Sequence, residues 1–167
     1  RKAWLKGLSP RENREVPPLD YALVRALKRK HPALPIVLNG GLVDLAQMQA
    51  EMHGVDGIMI GRAAYQDPAL LLSIDPLFFG VAPACESRMA VAEAFIPYVE
   101  AQRSAGVPLA AMTRHILGLF NGLKGARAFR RHLATEAVKP GAGVEVLRAA
   151  LSFVQDAEQD ALREAAA

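Results

Sequence analysis

The chain has 167 residues, enough for one domain and part of a second, and half of them (51%) are hydrophobic. Its apolar runs are far too short to span a membrane, no secretory start is present, and the residue spacing contains no metal-ligand pattern. The lone Cys85 excludes an internal disulfide, and the net charge of +3 is too small to indicate nucleic-acid binding alone, so composition favours a soluble cytoplasmic protein.

The N-terminal segment, residues 1–14, is a basic loop with one tryptophan. Within it, Ser9 and Glu12 predict a capped helical turn, because each side chain can bond the other residue's backbone N–H. The residues that suit a nucleic-acid backbone and a stacked base are Arg1, Lys2, Trp4, Lys6, Arg11 and Arg14. The alternative is that Trp4 only packs the loop down. Because the chain begins with Arg1 and not Met, we expect the N-terminal half of a longer protein to be missing.

Two short apolar strands, predicted over 36–38 and 57–60, form the centre of the chain. Both are continuously apolar, as in parallel strands that are buried on both faces. A helix capped by Asp20 precedes the first strand, and a helix capped by Asp44 connects the two. The buried stripe expected on the first helix consists of Leu23, Val24 and Leu27.

Each strand ends in a glycine turn that could hold a phosphate group. Asn39-Gly40-Gly41 follows the first strand, and a backbone without side chains can approach a ligand closely. Gly61-Arg62 follows the second strand, where a guanidinium could grip a phosphate in a bidentate manner. Turns at the ends of consecutive parallel strands form the phosphate site of many barrels. The alternatives are an ordinary strand-to-helix turn and an arginine ion-paired on the rim.

Residues 75–86 contain Pro and Gly without periodicity and predict a linker between residues 1–74 and 87–167. Beyond this linker the pattern is helical throughout. The predicted helices cover 87–105, 109–120, 125–136 and 144–163. The C-terminal part is therefore expected to be a separate helical domain.

One face of the helix 125–136 is strongly basic. Arg127, Arg130 and Arg131 are spaced to share that face, and like charges so placed disfavour an isolated helix by about 0.2–0.5 kcal/mol per pair. An anionic partner would more than offset this cost. The alternative is a solvated face screened by distant acids. The opposite face carries Ala126, Phe129 and Leu133.

The order of these segments resembles the tRNA-dihydrouridine synthases, most closely the A-type bacterial enzymes. The resemblance extends over nearly the whole chain, and the stretches that carry it are RKAWLKGLSPRENRE (1–15), NGG (39–41), GRAAYQDP (61–68) and HILGLF…GARAFRR (115–131). The first and last are specific to that family. The resemblance implies an α/β fold: the C-terminal part of a (β/α)8 TIM barrel, with strands seven and eight, followed by an all-α helical-bundle domain.

The resemblance also implies the ligands. FMN would be contacted by Asn39, Gly40 and Gly41 after strand seven and by Gly61 and Arg62 after strand eight. The tRNA would be placed by two arginine pairs, which are Arg11 with Arg14 and Arg127 with Arg130. In the family, NADPH reduces the flavin, which then reduces a D-loop uridine, here expected to be 20/20a, to dihydrouridine.

The resemblance finally implies what this chain does not contain. The family's general-acid cysteine and flavin-facing lysine would lie upstream of Arg1, and Cys85 does not match that cysteine. We therefore expect no catalytic residue in the chain, no activity of the chain alone, and a monomer for the full-length enzyme. Two other functions stay open: another phosphate-binding barrel enzyme, and a non-catalytic tRNA-binding helical module.

Overall fold

The fold is described from a computed structural model, which covers Trp4 and residues 6–165, with side chains up to Gln155. The backbone divides into two compact units, residues 1–63 and 64–167. Arg1 and Lys2 of the basic loop lie outside the described residues. No helix in the described part of the chain is both long and apolar enough to cross a bilayer.

The first unit contains two strands and the helices around them. In order, these are a 3-10 helix Glu12–Arg14, α1 Tyr21–Lys30, β1 Val37–Asn39, α2 Leu45–Glu51 and β2 Gly57–Met59, followed by α3 Arg62–Gln66, which crosses into the second unit. The predicted caps are confirmed. Asp20 accepts from the Leu23 N–H at 2.9 Å and Asp44 accepts from the Gln47 N–H at 2.8 Å, so each carboxylate bonds an N–H that has no partner inside its helix.

The two strands form a parallel sheet in which Leu38 faces Ile58 and Asn39 faces Met59. Leu38 is buried, but Val37 is 57% exposed and Met59 47% exposed. The prediction that both strands are buried on both faces is therefore wrong for this chain. Successive strand residues point to opposite faces, and the face that carries Val37 and Met59 is open to solvent.

Helix α1 differs from its prediction in the same way. It contains no buried residue, and Leu23 of its expected stripe is 65% exposed. Polar contacts attach it instead. The Lys28 ammonium donates to the carbonyls of Pro32 and Leu34 at 2.8 and 3.0 Å and pairs with Asp56 at 2.8 Å, which fixes the entry into β1.

The described residues of the second unit form helices and turns and contain no strand. It contains a 3-10 helix Pro68–Ser73, a π-helix Asp75–Phe79, α4 Arg88–Ser104, α5 Leu109–Thr113, α6 Ala126–Glu136 and α7 Val144–Ala165. The expected linker 75–86 thus contains a π-helix, and the division between compact units falls before it, after Ala63. The buried core draws on every α-helix from α4 to α7, and its largest side chains include Phe120 and Phe129, packed edge to face.

The predicted helix 109–120 is wrong beyond Thr113. The chain there changes to a series of turns, although Ile116, Leu119 and Phe120 continue an apolar pattern. Contacts distant in sequence hold these turns: the Arg88 guanidinium donates to the Leu119 and Asn121 carbonyls at 3.1 and 2.7 Å. These bonds satisfy two backbone carbonyls of the turn segment.

Candidate cofactor and nucleic-acid sites

The turn after β1 is filled by the chain itself. Gly40 and Gly41 have φ values of +121° and +67°, which favour glycine. A Cβ at Gly40 would lie 2.7 Å from Leu19 Cδ2, and one at Gly41 would lie 2.6 Å from Leu19 Cδ1. The Tyr21 hydroxyl donates to the Gly40 carbonyl oxygen. Backbone conformation and packing within the chain therefore explain both glycines, whether or not a ligand binds. Asn39 is exposed beside them.

The turn after β2 is different. Gly61 has no positive φ, and no described heavy atom lies within 4 Å of the place where its Cβ would be. Neither backbone conformation nor packing thus requires glycine there. A residue without a side chain beside open space is what a closely approaching ligand would need. Because parallel strands end at the same edge of a sheet, this opening and the β1 turn share that edge.

Arg62, the first residue of α3, is available to an anion. Its side chain is 67% exposed, and its described ion pair is with Glu15 at 3.6 Å, a carboxylate that is itself 54% exposed. An exposed pair at this separation contributes about 0–1 kcal/mol and can exchange partners. The ion pair of the alternative interpretation is thus present, but it is weak and exposed, and the binding of a phosphate by Arg62 stays a prediction.

Asn13 organises the basic loop, a role that the sequence pattern did not reveal. Its side-chain oxygen accepts from the Trp4 N–H at 2.7 Å, and its amide nitrogen donates to the Trp4 carbonyl at 3.0 Å. Further bonds reach the carbonyls of Leu8 and Ser9, each at 3.3 Å. Trp4 is held through its backbone. The residue is 48% exposed, so packing within the chain does not bury its ring.

The capping box of the loop is present. Glu12 accepts from the Ser9 N–H at 2.8 Å and from the Ser9 hydroxyl at 2.6 Å, and these bonds hold the pKa of the Glu12 carboxyl below its ordinary value. Arg11 and Arg14 flank Glu12 three residues apart, and such residues eclipse in a 3-10 helix. Both arginines are exposed and form no ion pair with a described residue, so the loop presents two cations on one side.

Helix α6 has the two faces that the sequence predicts. Phe129 and Leu133 are buried, whereas Arg127 and Arg131 are exposed. Gly125 begins the helix with φ +80°, and a Cβ there would overlap the Phe153 carbonyl oxygen of α7, which shows how closely the two helices approach. The arginine face is thus fixed in direction by packing on its other side.

Arg130 is the exception on that face because it is half-buried. Its guanidinium donates to the side-chain oxygen of Asn121, and the Asn121 amide nitrogen donates to the Gln66 carbonyl at 2.8 Å. Asn121 was predicted only as part of a turn between helices. No local signal distinguishes it, because its partners lie far from it in the sequence.

The matches with known proteins cover these same segments. The family model described as Dihydrouridine synthase (Dus) matches residues 4–157, which include every residue of the two turns and both arginine pairs. The chain belongs to the dihydrouridine synthase family. The resemblance of the chain to the tRNA-dihydrouridine synthases is confirmed.

Several curated relatives within the dihydrouridine synthase family carry the same name, tRNA-dihydrouridine(20/20a) synthase. The chain is 53% identical to the one from Shewanella oneidensis over 155 residues, covering 93% of this chain and 46% of the relative. It is 54% identical to that of Yersinia pestis, over 92% of this chain and 45% of the relative. It is 48% identical to the relative from Escherichia coli K12, over 93% of this chain and 45% of the relative. The chain therefore spans about half the length of the curated relatives it matches.

Among the described residues of this dihydrouridine synthase chain, no cluster of His, Cys, Asp and Glu is arranged to hold a metal ion. Cys85 is half-buried between the π-helix and α4. The β2 turn and the two arginine pairs offer exposed or half-buried cations that could hold an anionic group. The two arginine pairs belong to different compact units.

Proposed function

We propose that the chain is the C-terminal part of a flavin-dependent tRNA-dihydrouridine synthase that reduces uridine 20/20a of the D-loop. The observation that carries this is the identity of about half the residues to enzymes of that name. In this proposal β1 and β2 are strands seven and eight of a (β/α)8 barrel, residues 1–74 complete it, and 87–167 form the helical tRNA-binding domain after a linker. The exposed faces of Val37 and Met59 support it, since neighbouring barrel layers would cover them.

The β2 turn is the proposed FMN phosphate site. Gly61 leaves room for a phosphate against the backbone, and Arg62 offers an exposed guanidinium. Asn39, Gly40 and Gly41 would line the neighbouring turn, where Asn39 supplies polar side-chain atoms. When bound and reduced by NADPH, FMN supplies the hydride for the uracil ring. The residues of this chain would bind and orient the cofactor's phosphate end.

The tRNA backbone would be held by Arg11 and Arg14 in the basic loop and by Arg127 and Arg130 on α6. Each pair is three residues apart on a short helix, so each can reach neighbouring phosphates. Trp4 stands exposed in the basic loop, where it could stack on an unpaired base. A tRNA substrate agrees with a cytoplasmic location. The full-length enzyme is proposed to be a monomer.

The chain by itself is expected to be inactive. The general acid of the family is a cysteine, and Cys85 neither matches it nor lies near the β2 turn in sequence. Most of the flavin ring contacts would also come from barrel strands outside the chain. We expect the chain alone to bind FMN poorly, and submicromolar affinity in a fluorescence titration would contradict this.

The decisive experiment is a hybrid in which this chain replaces the matched segment of the Shewanella oneidensis relative. The hybrid should purify with yellow flavin and form dihydrouridine in an unmodified tRNA transcript, which a shift in nucleoside mass reports. The relative without the matched segment is the control. A folded, flavin-loaded hybrid that leaves every uridine intact would refute the proposal.

A non-catalytic tRNA-binding module is the second candidate. The arginine face of α6 favours it, because it needs no flavin. Family membership favours the flavin enzyme over another phosphate-binding barrel. The hybrid distinguishes the two remaining candidates, since a pure binding module would support tRNA binding without any dihydrouridine.

A further inference from the structure

Asn121 lies where three separate segments of the second unit meet. Its backbone carbonyl accepts from Arg88 of α4 at 2.7 Å, and its side-chain oxygen accepts from Arg130 of α6. Its side-chain nitrogen donates to the Gln66 carbonyl at 2.8 Å, at the end of α3. One residue in a turn thus bonds three elements, and each of these bonds spans at least nine positions in the sequence.

The orientation of the Asn121 amide is determined by its neighbours. The Gln66 carbonyl can only accept, so it takes the NH2 end of the amide, and the guanidinium of Arg130 can only donate, so it faces the oxygen. A rotation by 180° would break both bonds and place an NH2 group against a guanidinium. The amide oxygen is therefore held toward Arg130 by the backbone at Gln66.

Two cations converge on this neutral residue. Arg88 and Arg130 both donate to Asn121, and neither forms an ion pair with a carboxylate among the described residues. The bond to Asn121 engages one nitrogen of Arg130, and the half-buried guanidinium has further N–H donors. A positively charged site without an acidic partner, held by neutral hydrogen bonds, is suited to an anion such as a phosphate.

We propose that Asn121 is a positioning residue that orients Arg130 for an RNA phosphate. This rests on the proposed tRNA-binding function of α6. Long arginine side chains lose rotamer freedom when they bind, and a side chain already held in place loses less. Asn121 acts through Arg130 and touches no RNA itself. A neutral amide is the suitable holder, because a carboxylate at the same place would neutralise the charge that binds the phosphate.

A double-mutant cycle tests the inference in the full chain. Anisotropy of a fluorescently labelled, unmodified tRNA transcript measures affinity for the native chain, Asn121→Ala, Arg130→Ala and the double variant, with the melting temperature recorded for each. We expect each single change to weaken binding about three- to tenfold, and the double variant to bind no more weakly than Arg130→Ala. If the two losses multiply, Asn121 does not act through Arg130 and the inference is overturned.

A second variant tests the charge at this position, with the melting temperature recorded to show that it is folded. Asn121→Asp preserves size and the oxygen that faces Arg130 but adds a negative charge and removes the N–H that donates to the Gln66 carbonyl. We expect weaker tRNA binding and a salt dependence reduced by about one phosphate contact. An unchanged salt dependence in a folded Asn121→Asp chain would overturn the inference. Arg127→Ala distinguishes failure of this inference from failure of the proposed tRNA-binding function. If Arg127→Ala reduces the salt slope while the cycle is additive, only the inference about Asn121 fails. If neither Arg127→Ala nor Arg130→Ala changes tRNA binding, the tRNA function of α6 fails.

Discussion

Gly61 and the Gly40-Gly41 pair are alike in sequence but not in their surroundings. Leu19 occupies the space beside Gly40 and Gly41, and the backbone of both residues is in a conformation that favours glycine. Gly61 is free of both constraints. The fold of the chain accounts for Gly40 and Gly41, whereas it gives no reason for glycine at position 61. Among these three glycines, Gly61 therefore gives the strongest support for a bound cofactor.

Gly61→Ala should therefore separate stability from cofactor binding. In the hybrid enzyme we expect an unchanged melting temperature of the flavin-free protein and FMN affinity lowered about tenfold or more, since a methyl group forced against a close contact costs about 1–3 kcal/mol. Gly57→Ala, at the other end of β2, is the matched control, because its Cβ would make only ordinary contact with Val37 at 3.5 Å. Equal FMN affinity of Gly61→Ala and the native hybrid would exclude close approach there.

Arg127→Ala tests the arginine face of α6 through salt dependence. Arg127 is exposed and forms no ion pair with a described residue, so its loss should leave the fold intact. Each phosphate contact contributes about 0.7–0.9 to the slope of log affinity against log salt, and we expect the slope to fall by that amount. Arg148→Ala is the control, because Arg148 already pairs with Glu100 at 3.3 Å and should not alter the slope. Equal slopes for the two variants would refute the contact.

Among the elements, those with local signals could be predicted from the sequence. Asp20 and Asp44 cap α1 and α2 as expected, and the buried stripe Leu147, Leu151 and Val154 of α7 follows helical spacing. The turns after α5 could not be predicted, because contacts distant in sequence hold them; one is Arg88, which lies 31 residues before its acceptor Leu119. Local pattern favours a helix there, and the tertiary context overrides it.

The entry into β1 should weaken in acid. Hydrogen bonds from the Lys28 ammonium and from the Ile36 N–H lower the pKa of the exposed Asp56 carboxyl. A lowered folded-state pKa means that this contribution to stability is present at neutral pH and is lost as pH falls through that pKa. Asp56→Asn should melt lower at neutral pH and lose less stability on acidification. Thermal melts across the acidic range measure this, and parallel pH profiles would contradict it.

The charged residues of the candidate site could be proposed from the sequence, but not the residues that hold them. Arginine spacing indicates a basic face with Arg127, Arg130 and Arg131, the resemblance selects Arg127 and Arg130, and a glycine turn after an apolar strand indicates Gly61. Asn13, Leu19 and Asn121 carry no such signal, since their function is defined by backbone groups and side chains that only the fold brings near. Asn13, for example, bonds the Trp4 backbone nine residues away.

At the scale of the whole molecule, the two units differ in how much core they possess. The large buried cluster consists entirely of residues between Ala69 and Val154, all in the second unit. The buried apolar side chains of the first unit are, among those described, Pro17, Leu38, Leu42 and Met48. Stability should therefore be unequal, since burial of apolar surface is the main favourable contribution to folding.

A chain of residues 64–167 should fold alone, and one of residues 1–63 should not. We expect the first to show helical circular dichroism and a cooperative melt, and the second to unfold without a transition. The exposed sheet of the first unit should also make the 167-residue chain self-associate, as exposed strand edges do. Light scattering measures this. A monodisperse chain that melts in two separate cooperative steps would contradict both expectations.

Gly118 has a consequence for genetics. A Cβ at this position would overlap the Gln66 carbonyl oxygen and lie 2.9 Å from Gln66 C and 3.2 Å from Pro68 Cδ. Gly118→Ala should therefore destabilise the second unit by about 1–3 kcal/mol, measured by denaturant unfolding. Because backbone atoms of residue 66 are in the way, no change of side chain at that position relieves the overlap. Second-site suppressors should alter Pro68 or lie outside the two touching segments, and suppressors confined to residue 66 would show that the contact is not what Gly118 serves.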